Sequence, residues 1–183
     1  MGPRVIALRA SGRGGSIPLL HPEDLMIDNE NIGLAKISDA IRIAEMSREL
    51  IESGLGWSWT PSRVAREIND KFTNVIVTRE GNGIIGFAVM KYLDQEARLN
   101  LFGVHPDCRR KGIGTRMIIW LEETALINGN GIIYLETRLK NQSAREFYKS
   151  LGYKVVNRIP GYYRGRETAV QMAHDLWSDV ALT

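Results

Sequence analysis

Two runs of β-favouring residues, 74–80 and 84–93, flank the tripeptide Gly81-Asn82-Gly83. Glycine and asparagine tolerate the positive φ angles of tight hairpin turns, so this stretch predicts two antiparallel strands joined by a short turn. The next run, 97–104, alternates apolar and polar residues and predicts a third strand. A sheet of this kind has an apolar face to bury, so helices elsewhere in the chain are expected to pack on it.

Apolar residues at three- and four-residue spacing predict helices before and after these strands. The strongest start signal is Thr60 followed by Pro61, because threonine caps helices well and proline suits the first helical position. The predicted helices lie between an N-cap at Ser38-Asp39 and Gly54, from Thr60 to Ile68, from Ile113 to Asn128, and over 142–151. Further strands are predicted over 31–37, 132–137, 153–159 and 167–174, the last two joined by Pro160-Gly161. This order is typical of a mixed sheet with helices packed on it.

The excess of positive charge lies at the amino end of the chain. The formal net charge is +3, and residues 1–22 contain three arginines and no acid. Beyond them, 21 basic residues face 21 acidic ones. The part expected to fold therefore has no excess charge to attract a nucleic acid, and we expect no nucleic-acid partner. Residues 10–18 are rich in glycine and serine and predict a flexible tail.

One cysteine, Cys108, rules out an intrachain disulfide, and no Cys/His spacing suits a structural metal. No apolar run approaches the roughly 18 residues of a membrane span. We expect a cytoplasmic protein with no metal and no membrane contact; an organellar transit segment at the Arg-bearing terminus is the alternative. His21, His105 and His174 are predicted to be structural or solvated, and Cys108 to be a bystander.

The segment 109–115, Arg-Arg-Lys-Gly-Ile-Gly-Thr, lies between a predicted strand end and a helix start. Free backbone N–H groups and the positive end of a helix meet there, which is a geometry that binds phosphate. The segment is not a Walker loop, and Met117 stands where the third glycine of the dinucleotide fingerprint would be. A basic, solvated turn is the alternative.

Two motifs in the second half of the chain carry a family resemblance. They are Arg109-x-x-Gly112-x-Gly114, behind a strand ending in Val104, and Asn141-x-x-Ala144-x-x-Phe147-Tyr148-x-x-Leu151-Gly152-Tyr153. In order and spacing they resemble the GNAT superfamily of acetyl-CoA-dependent N-acetyltransferases. The resemblance implies one acetyltransferase domain over 31–176, between a flexible tail at 1–30 and a C-terminal tail at 177–183. It implies an α+β fold in α/β/α layers, with a mixed, mostly antiparallel sheet of about seven strands, splayed in the middle, and four helices.

A narrower resemblance concerns the acceptor. Three segments are similar to the protein N-alpha-acetyltransferases, including the enzyme that acetylates the amino-terminal alanine of a ribosomal protein. They are Leu135-Glu136-Thr137-Arg138 followed by Asn141, Gly161-Tyr162-Tyr163, and Glu167-Thr168-Ala169-Val170-Gln171-Met172. This implies direct transfer of acetyl from acetyl-CoA to a protein N-terminal amine, by a monomer or homodimer. The alternatives are a small amine acceptor, such as a polyamine, amino acid or aminoglycoside, and a non-catalytic CoA-binding or nucleic-acid-binding module.

The resemblance also implies a co-substrate site. The backbone of Phe102 to Val104 would hold the pantetheine arm, and N–H groups at the helix start would receive the pyrophosphate. Asn141 would bond the co-substrate; its alternative is to cap the helix over 142–151. The implied site comprises Phe102, Gly103, Val104, Arg109, Arg110, Lys111, Gly112, Ile113, Gly114, Thr115, Asn141 and Tyr148.

Two catalytic residues are implied. Tyr148 would protonate the departing thiolate; ordinary core packing is its alternative. Glu136 would remove a proton from the acceptor amine, directly or through water; a salt bridge to Arg138 or Arg98 is its alternative.

Aromatic residues are the implied acceptor-binding groups. Tyr162 and Tyr163 would line the peptide entrance, or would otherwise be exposed hairpin aromatics. Trp57 and Trp59 would face them from the loop between the first two helices, or would otherwise be packing plugs.

Overall fold

The structure is a computed structural model that describes residues 31–180, so the predicted tail 1–30 lies outside the described residues. These residues form one seven-stranded sheet in the order β1-β2-β3-β4-β5-β7-β6. The strands are β1 Ile32–Leu34, β2 Thr73–Glu80, β3 Gly83–Tyr92, β4 Glu96–Val104, β5 Ile132–Arg138, β6 Lys154–Tyr163 and β7 Glu167–Asp175. The helices are α1 Ala40–Leu50, α2 Pro61–Asn69, α3 Ile113–Ile127, α4 Gln142–Ser150 and α5 Leu176–Val180, with 3-10 turns at Ile37–Asp39 and Pro106–Cys108.

The predicted fold class is confirmed: the sheet is mixed and mostly antiparallel, and helices cover it. The described residues contain five helices instead of four, because α5 begins at the last residue of the predicted domain and continues into the segment predicted as a C-terminal tail. Asp175 explains this helix, since its carboxylate accepts hydrogen bonds from the backbone of Trp177 (3.1 Å) and Ser178 (3.3 Å). Leu176 is buried and holds the helix against the fold.

The sheet splays between β4 and β5, its one parallel pair. Pairing runs from Glu96 opposite Ile132 to Leu99 opposite Leu135 and then ends. Beyond this point β4 continues beside β3, while β5 continues beside β7. A bulge marks the separation: Val89 pairs with Leu101 and Met90 with Leu99, so Asn100 is an extra residue in β4. Such a bulge bends the strand and turns its end away from its former neighbour.

Each face of the sheet has its own core. Met117 and Leu121 of α3 are fully buried on one face. On the other face, Ile43 of α1 and Val64 of α2 are fully buried with Phe87 of β3. The helices therefore form two layers around the sheet, which is the layered arrangement that the resemblance implied.

The local signals at the first two helices have different outcomes. Thr60 caps α2 as predicted, since its hydroxyl accepts from the Arg63 backbone at 3.4 Å. Asp39 precedes α1 but does not cap it with its side chain. Its carboxylate instead accepts from the Lys36 backbone and from Arg79, each at 2.7 Å, and so ties the start of α1 to β2.

The prediction that Pro160-Gly161 joins the last two strands is wrong. Both residues lie inside β6, and the turn falls on residues 164–166. The register shifts between Ile159 and Tyr163, so the proline and glycine are absorbed as an irregularity in the strand. Proline can stand there because β6 is an edge strand, where a missing N–H costs no ladder bond on the open side.

Phe87 gives a test of the packing that supports the end of β4. It is fully buried, and a methyl group on Gly103, its cross-strand partner, would lie 2.8 Å from its ring. We expect Phe87→Ala to lower the free energy of unfolding by about 3–5 kcal/mol, because it removes a large buried ring and leaves a cavity. Urea unfolding measures this change.

Ile127→Ala is the matched control. Ile127 is 85% exposed at the end of α3, so its truncation should change stability by no more than about 0.5 kcal/mol. Equal losses in the two variants would contradict the assigned packing.

Candidate active site

The predicted co-substrate strand, Phe102 to Val104, forms one side of the gap between β4 and β5. These residues pair with β3 but have no β5 partner. The Phe102 ring stacks on Phe147 of α4 with centroids 5.8 Å apart. The Val104 carbonyl accepts a hydrogen bond from Nε of Arg109 at 3.0 Å. Apart from the Val104 carbonyl, the edge of β4 that faces the gap is free to pair with an extended ligand, while its other edge is held by the sheet.

The start of α3 meets the requirements of an anion site. Gly112 occupies the N-cap position with φ 74°, no side chain caps the helix there, and its first turn has no acidic residue. The first N–H groups of a helix have no partners within the helix, and its dipole makes that end positive. Arg110 also has positive φ, at 62°, and with Lys111 it is exposed beside these groups.

Gly114 has little space around its Cα. A methyl group there would lie 3.2 Å from the Phe102 ring and 3.3 Å from the Phe147 ring. Its absence lets the first turn of α3 approach the aromatic residues beside the gap. The predicted pyrophosphate site, Arg109 to Thr115, therefore lies next to the predicted pantetheine strand.

Asn141 caps α4, because its Oδ1 accepts from the Ala144 backbone at 3.1 Å. The capping alternative is thereby confirmed. A contact between Asn141 and a co-substrate stays a prediction.

Tyr148 lies inside an aromatic cluster. Its ring is 7% exposed and contacts the rings of Phe102, Phe147 and Tyr153. Burial, and secondly the nearby Tyr163, raise the pKa of the Tyr148 phenol well above its usual value of 10.0. The side chain therefore packs in the core and also keeps its proton at physiological pH, so its two interpretations are compatible.

Glu136 lies on β5 just beyond the end of the β4–β5 pairing. Its Oε1 accepts from Nε2 of Gln171 at 2.8 Å and lies 3.7 Å from the Arg98 guanidinium. Arg138, the other partner considered from sequence, approaches Glu167 instead, at 3.8 Å. The carboxylate side chain is 14% exposed and is held mainly by a neutral amide.

Gln171 is a residue whose contact with Glu136 the sequence analysis missed. It stands directly opposite Glu136 in the β5–β7 pairing. Both strands were predicted, but nothing local to either one gives their register. Only the register of β5 against β7 would have predicted the contact.

The two tyrosines at the end of β6 lie beside this carboxylate. Tyr162 and Tyr163 pack edge to face with centroids 5.0 Å apart. The pKa of Tyr163 is raised mainly by its burial and, to a smaller extent, by the nearby Tyr162 and Glu136. The pKa of Tyr162 is raised mainly by its burial and, to a smaller extent, by Glu136. Tyr163 also contributes to the raised pKa of Tyr148, so Tyr163 lies within electrostatic range of both Glu136 and Tyr148.

The loop between α1 and α2 is fixed to the same region. Buried Glu52 accepts from the Ser58 backbone (2.6 Å), the Ser58 hydroxyl (2.9 Å) and the Trp59 backbone (3.0 Å). From outside the loop, Arg138 donates to the Ser53 carbonyl at 2.8 Å. The Arg164 guanidinium lies over Gly56, 2.5 Å from where a methyl group there would be.

The two loop tryptophans have different environments. Trp59 is buried in the core, with the Arg63 guanidinium 3.9 Å from its ring centroid. Trp57 is 37% exposed, and its Nε1 donates to the Ala44 carbonyl at 3.2 Å. Trp59 therefore matches the packing alternative, and Trp57 is the partly exposed one of the two, with the Arg48 guanidinium 5.0 Å from its ring centroid.

Two clefts flank this loop. The larger, of about 670 Å³, is lined by α1 and the loop: Glu45, Arg48, Glu49, Glu52, Ser53, Gly54, Gly56 and Trp57. The smaller, of about 180 Å³, lies between the loop and the β6–β7 turn: Gly54, Leu55, Gly56, Tyr163, Arg164, Arg166 and Glu167. Only the smaller cleft touches Tyr163 and so adjoins the Glu136 region.

His105, His174 and Cys108 take no part in the site described above. His174 is buried with Nδ1 3.0 Å from Oε1 of Glu122, and Cys108 is buried. His105 lies 3.8 Å from Asp107. His21 is outside the described residues. Within 31–180, no group of three His, Cys, Asp or Glu side chains is arranged to hold a metal, and no helix is long and apolar enough to span a membrane.

Comparison with known proteins gives one consistent result. A family model described as "Acetyltransferase (GNAT) family" matches residues 43–153. N-alpha-acetyltransferase RimI of Mycobacterium tuberculosis is 30% identical over 137 residues, which cover 73% of this chain and 84% of the relative. The [ribosomal protein bS18]-alanine N-acetyltransferase of Escherichia coli K12 is 30% identical over 118 residues, covering 63% of this chain and 79% of the relative.

Solved structures share the fold. The E. coli ribosomal-protein-S18-alanine N-acetyltransferase superposes with TM-score 0.69 at 23% identity, covering 79% of this chain and 92% of that one. An aminoglycoside 6'-N-acetyltransferase complexed with coenzyme A gives TM-score 0.65 at 20% identity, covering 79% and 96%. At these identities the structural likeness concerns the fold alone.

Glu52 gives a test of how the loop is held. We expect Glu52→Ala to lower the free energy of unfolding by about 1–3 kcal/mol, because three donors at Ser58 and Trp59 lose their acceptor. Hydrogen exchange should show the amides of these two residues losing protection. Glu49→Ala, a change at an exposed neighbour, is the control and should leave both quantities unchanged. Unaltered protection in Glu52→Ala would show that other contacts order the loop.

Proposed function

The chain belongs to the acetyltransferase (GNAT) family and is an acyltransferase, and from this premise we propose that it moves acetyl from acetyl-CoA to the α-amino group of a protein N terminus. The observation that carries the proposal is that Glu136 and Tyr148 flank the β4–β5 gap: Glu136 follows the last β4–β5 pair, and the Tyr148 ring packs against Phe102 of β4. Tyr163, which is within electrostatic range of both, lines an adjoining cleft. This arrangement offers a proton acceptor, a proton donor and a path for a chain.

The residues at the gap fit the co-substrate. The uncapped start of α3 suits a pyrophosphate, and the unpaired edge of β4 suits the amide groups of a pantetheine arm. When bound, acetyl-CoA supplies the acetyl group as an activated thioester. We assign the backbone around Gly112 and Gly114 to the phosphates and the backbone of Phe102 to Val104 to the arm. The Val104 amide is suited to polarise the carbonyl that is attacked.

Glu136 would prepare the acceptor. An N-terminal amine has a pKa near 8, so at neutral pH it is mostly protonated and must lose a proton before it can attack. The Glu136 carboxylate, oriented by Gln171, would take this proton directly or through a water molecule. Tyr162 and Tyr163 would line the approach of the peptide.

Tyr148 would complete the transfer. It would donate its phenolic proton to the sulfur as the thioester bond breaks, and the proton lost by the amine would balance that step overall. Its raised pKa keeps the donor form populated. A buried phenol also excludes water from the reacting groups.

The acceptor class is tested by presenting purified protein with acetyl-CoA and two panels. One panel holds peptides with free N termini, and the other holds polyamines, amino acids and aminoglycosides; mass spectrometry detects the added acetyl group. We expect turnover on peptides. Turnover confined to the small amines would instead support the alternative suggested by relatives that act on aminoglycosides.

The two catalytic roles have distinct pH signatures. Wild-type kcat/KM should rise with pH as the acceptor amine deprotonates near pH 8, with no decline from Tyr148 below about pH 10, because its pKa is raised. In Tyr148→Phe, kcat/KM should be about 100-fold or more below the wild-type value at every pH. In Glu136→Gln, the loss of kcat/KM should be largest near pH 6.5 and smaller near pH 9.5, where the amine no longer needs a base.

Tyr134→Phe and Glu146→Gln are the controls for these variants. Tyr134 lies on the same strand as Glu136, and Glu146 is exposed on the same helix as Tyr148. Both should retain wild-type profiles. Near-wild-type turnover of Tyr148→Phe and Glu136→Gln across the pH range would refute the assigned roles.

The phosphate site gives a separate prediction. Gly112→Ala forces a side chain into the left-handed region at a cost of about 1–2 kcal/mol. The loop can relieve this strain only by leaving the conformation that presents its N–H groups, so CoA binding measured by calorimetry should weaken by up to roughly 5- to 30-fold. Lys111→Ala removes only an exposed charge and should cost less than about 1 kcal/mol. A larger loss in Lys111→Ala would mean that side-chain charge, and not backbone geometry, holds the phosphates.

A further inference from the structure

The smaller cleft extends the active site away from the reacting groups. Tyr163 forms part of its wall and is coupled to both Glu136 and Tyr148. The larger cleft, on the other side of the α1–α2 loop, is lined by neither Tyr163 nor the proposed catalytic residues. A chain whose first amine reaches Glu136 would therefore place its next residues over Tyr163 and in the smaller cleft.

The charge in this cleft is positive. Its one carboxylate, Glu167, is already paired with Lys140 at 2.8 Å and with Arg138 at 3.8 Å. The hydrogen bond from Lys140 is the main cause that lowers the pKa of Glu167, so this group is ionised and its charge is balanced. In the described part of the chain, neither Arg164 nor Arg166 has a carboxylate within 4.0 Å. Two guanidinium groups thus remain available to a ligand.

The two arginines differ in what else they do. Arg164 has positive φ, at 53°, and its guanidinium covers Gly56, so it also shapes the cleft wall. Arg166 is exposed, and among the described residues its side chain forms no hydrogen bond or ion pair. Planar guanidinium groups bind carboxylates with paired hydrogen bonds, and they repel cations.

We propose that the acceptor is a protein N terminus whose following residues are acidic, and that Arg164 and Arg166 bind their carboxylates. The inference rests on the proposed function and narrows its substrate class. It also disfavours polyamines and aminoglycosides, which would bring several positive charges into an already positive cleft. The arginines act on the part of the acceptor that does not react, so their effect falls on capture and placement of the peptide.

The test compares three peptides that begin with alanine and differ only at the next two positions: Asp-Asp, Asn-Asn or Lys-Lys. We expect kcat/KM to fall in that order. Each exposed charge pair should contribute about 1.5- to 5-fold, and the differences should shrink as salt is added. Most of the effect should lie in the KM of the peptide.

Charge reversal makes the test independent of stability. Arg166→Glu cancels the charge of Arg164 and should remove most of the preference, whereas the double variant Arg164→Glu/Arg166→Glu should reverse the order and make the Lys-Lys peptide the best substrate of the three, a gain that misfolding cannot produce. Arg158→Glu is the matched control, because Arg158 is an exposed arginine of β6 that does not line the cleft. It should keep the wild-type order.

The unfavourable outcomes are separable. Acetylation of all three peptides at equal rates, or faster acetylation of the Lys-Lys peptide by the wild type, would overturn this inference and leave the proposed function standing. A rise in the KM of acetyl-CoA in Arg166→Glu, equal for all peptides, would overturn it by assigning the arginine to the co-substrate. Acetylation of small amines but of no peptide would overturn both proposals.

Discussion

The separation of β4 from β5 is the constraint on which the active site depends. A parallel pair that stops after four matched residues leaves N–H and C=O groups on both strands without ladder partners. Such groups must be satisfied by water or by a ligand, because an unpaired backbone group is costly once it is shielded from solvent. The bulge at Asn100 keeps the strands apart, and Phe87 packed against Gly103 fixes where the end of β4 lies. The gap is thus built into the core.

The environment of Glu136 is consistent with a base. The guanidinium of Arg98 lies 3.0 Å from Glu96 and 3.7 Å from Glu136, so its main partner is the other carboxylate. Gln171 orients Glu136 at 2.8 Å without adding charge. Tyr148, by contrast, is surrounded by rings that give its anion no stabilisation.

Local sequence signals were sufficient for most of the helices and strands and insufficient for several contacts. Thr60 and Gly81-Asn82-Gly83 act through their own backbone, so the helix start and the hairpin could be predicted. Pro160-Gly161 has the same turn chemistry, yet it lies within a strand, because tolerance of a proline depends on β6 being at the sheet edge. Trp57 and Trp59 occur in one short loop with opposite burial, which the path of the loop decides. The contact of Gln171 with Glu136 needed a register between strands distant in sequence.

Arg138 links the geometry of the acceptor side to its charge. It donates to the Ser53 carbonyl, which holds the α1–α2 loop over the end of β5, and it approaches Glu167 in the wall of the smaller cleft. With Lys140 it balances that carboxylate, which would otherwise offset the guanidinium groups of the β6–β7 turn. Arg138 therefore contributes both to the position of the loop beside the cleft and, with Lys140, to the charge balance of Glu167. Shape and charge at this site are linked through that one side chain.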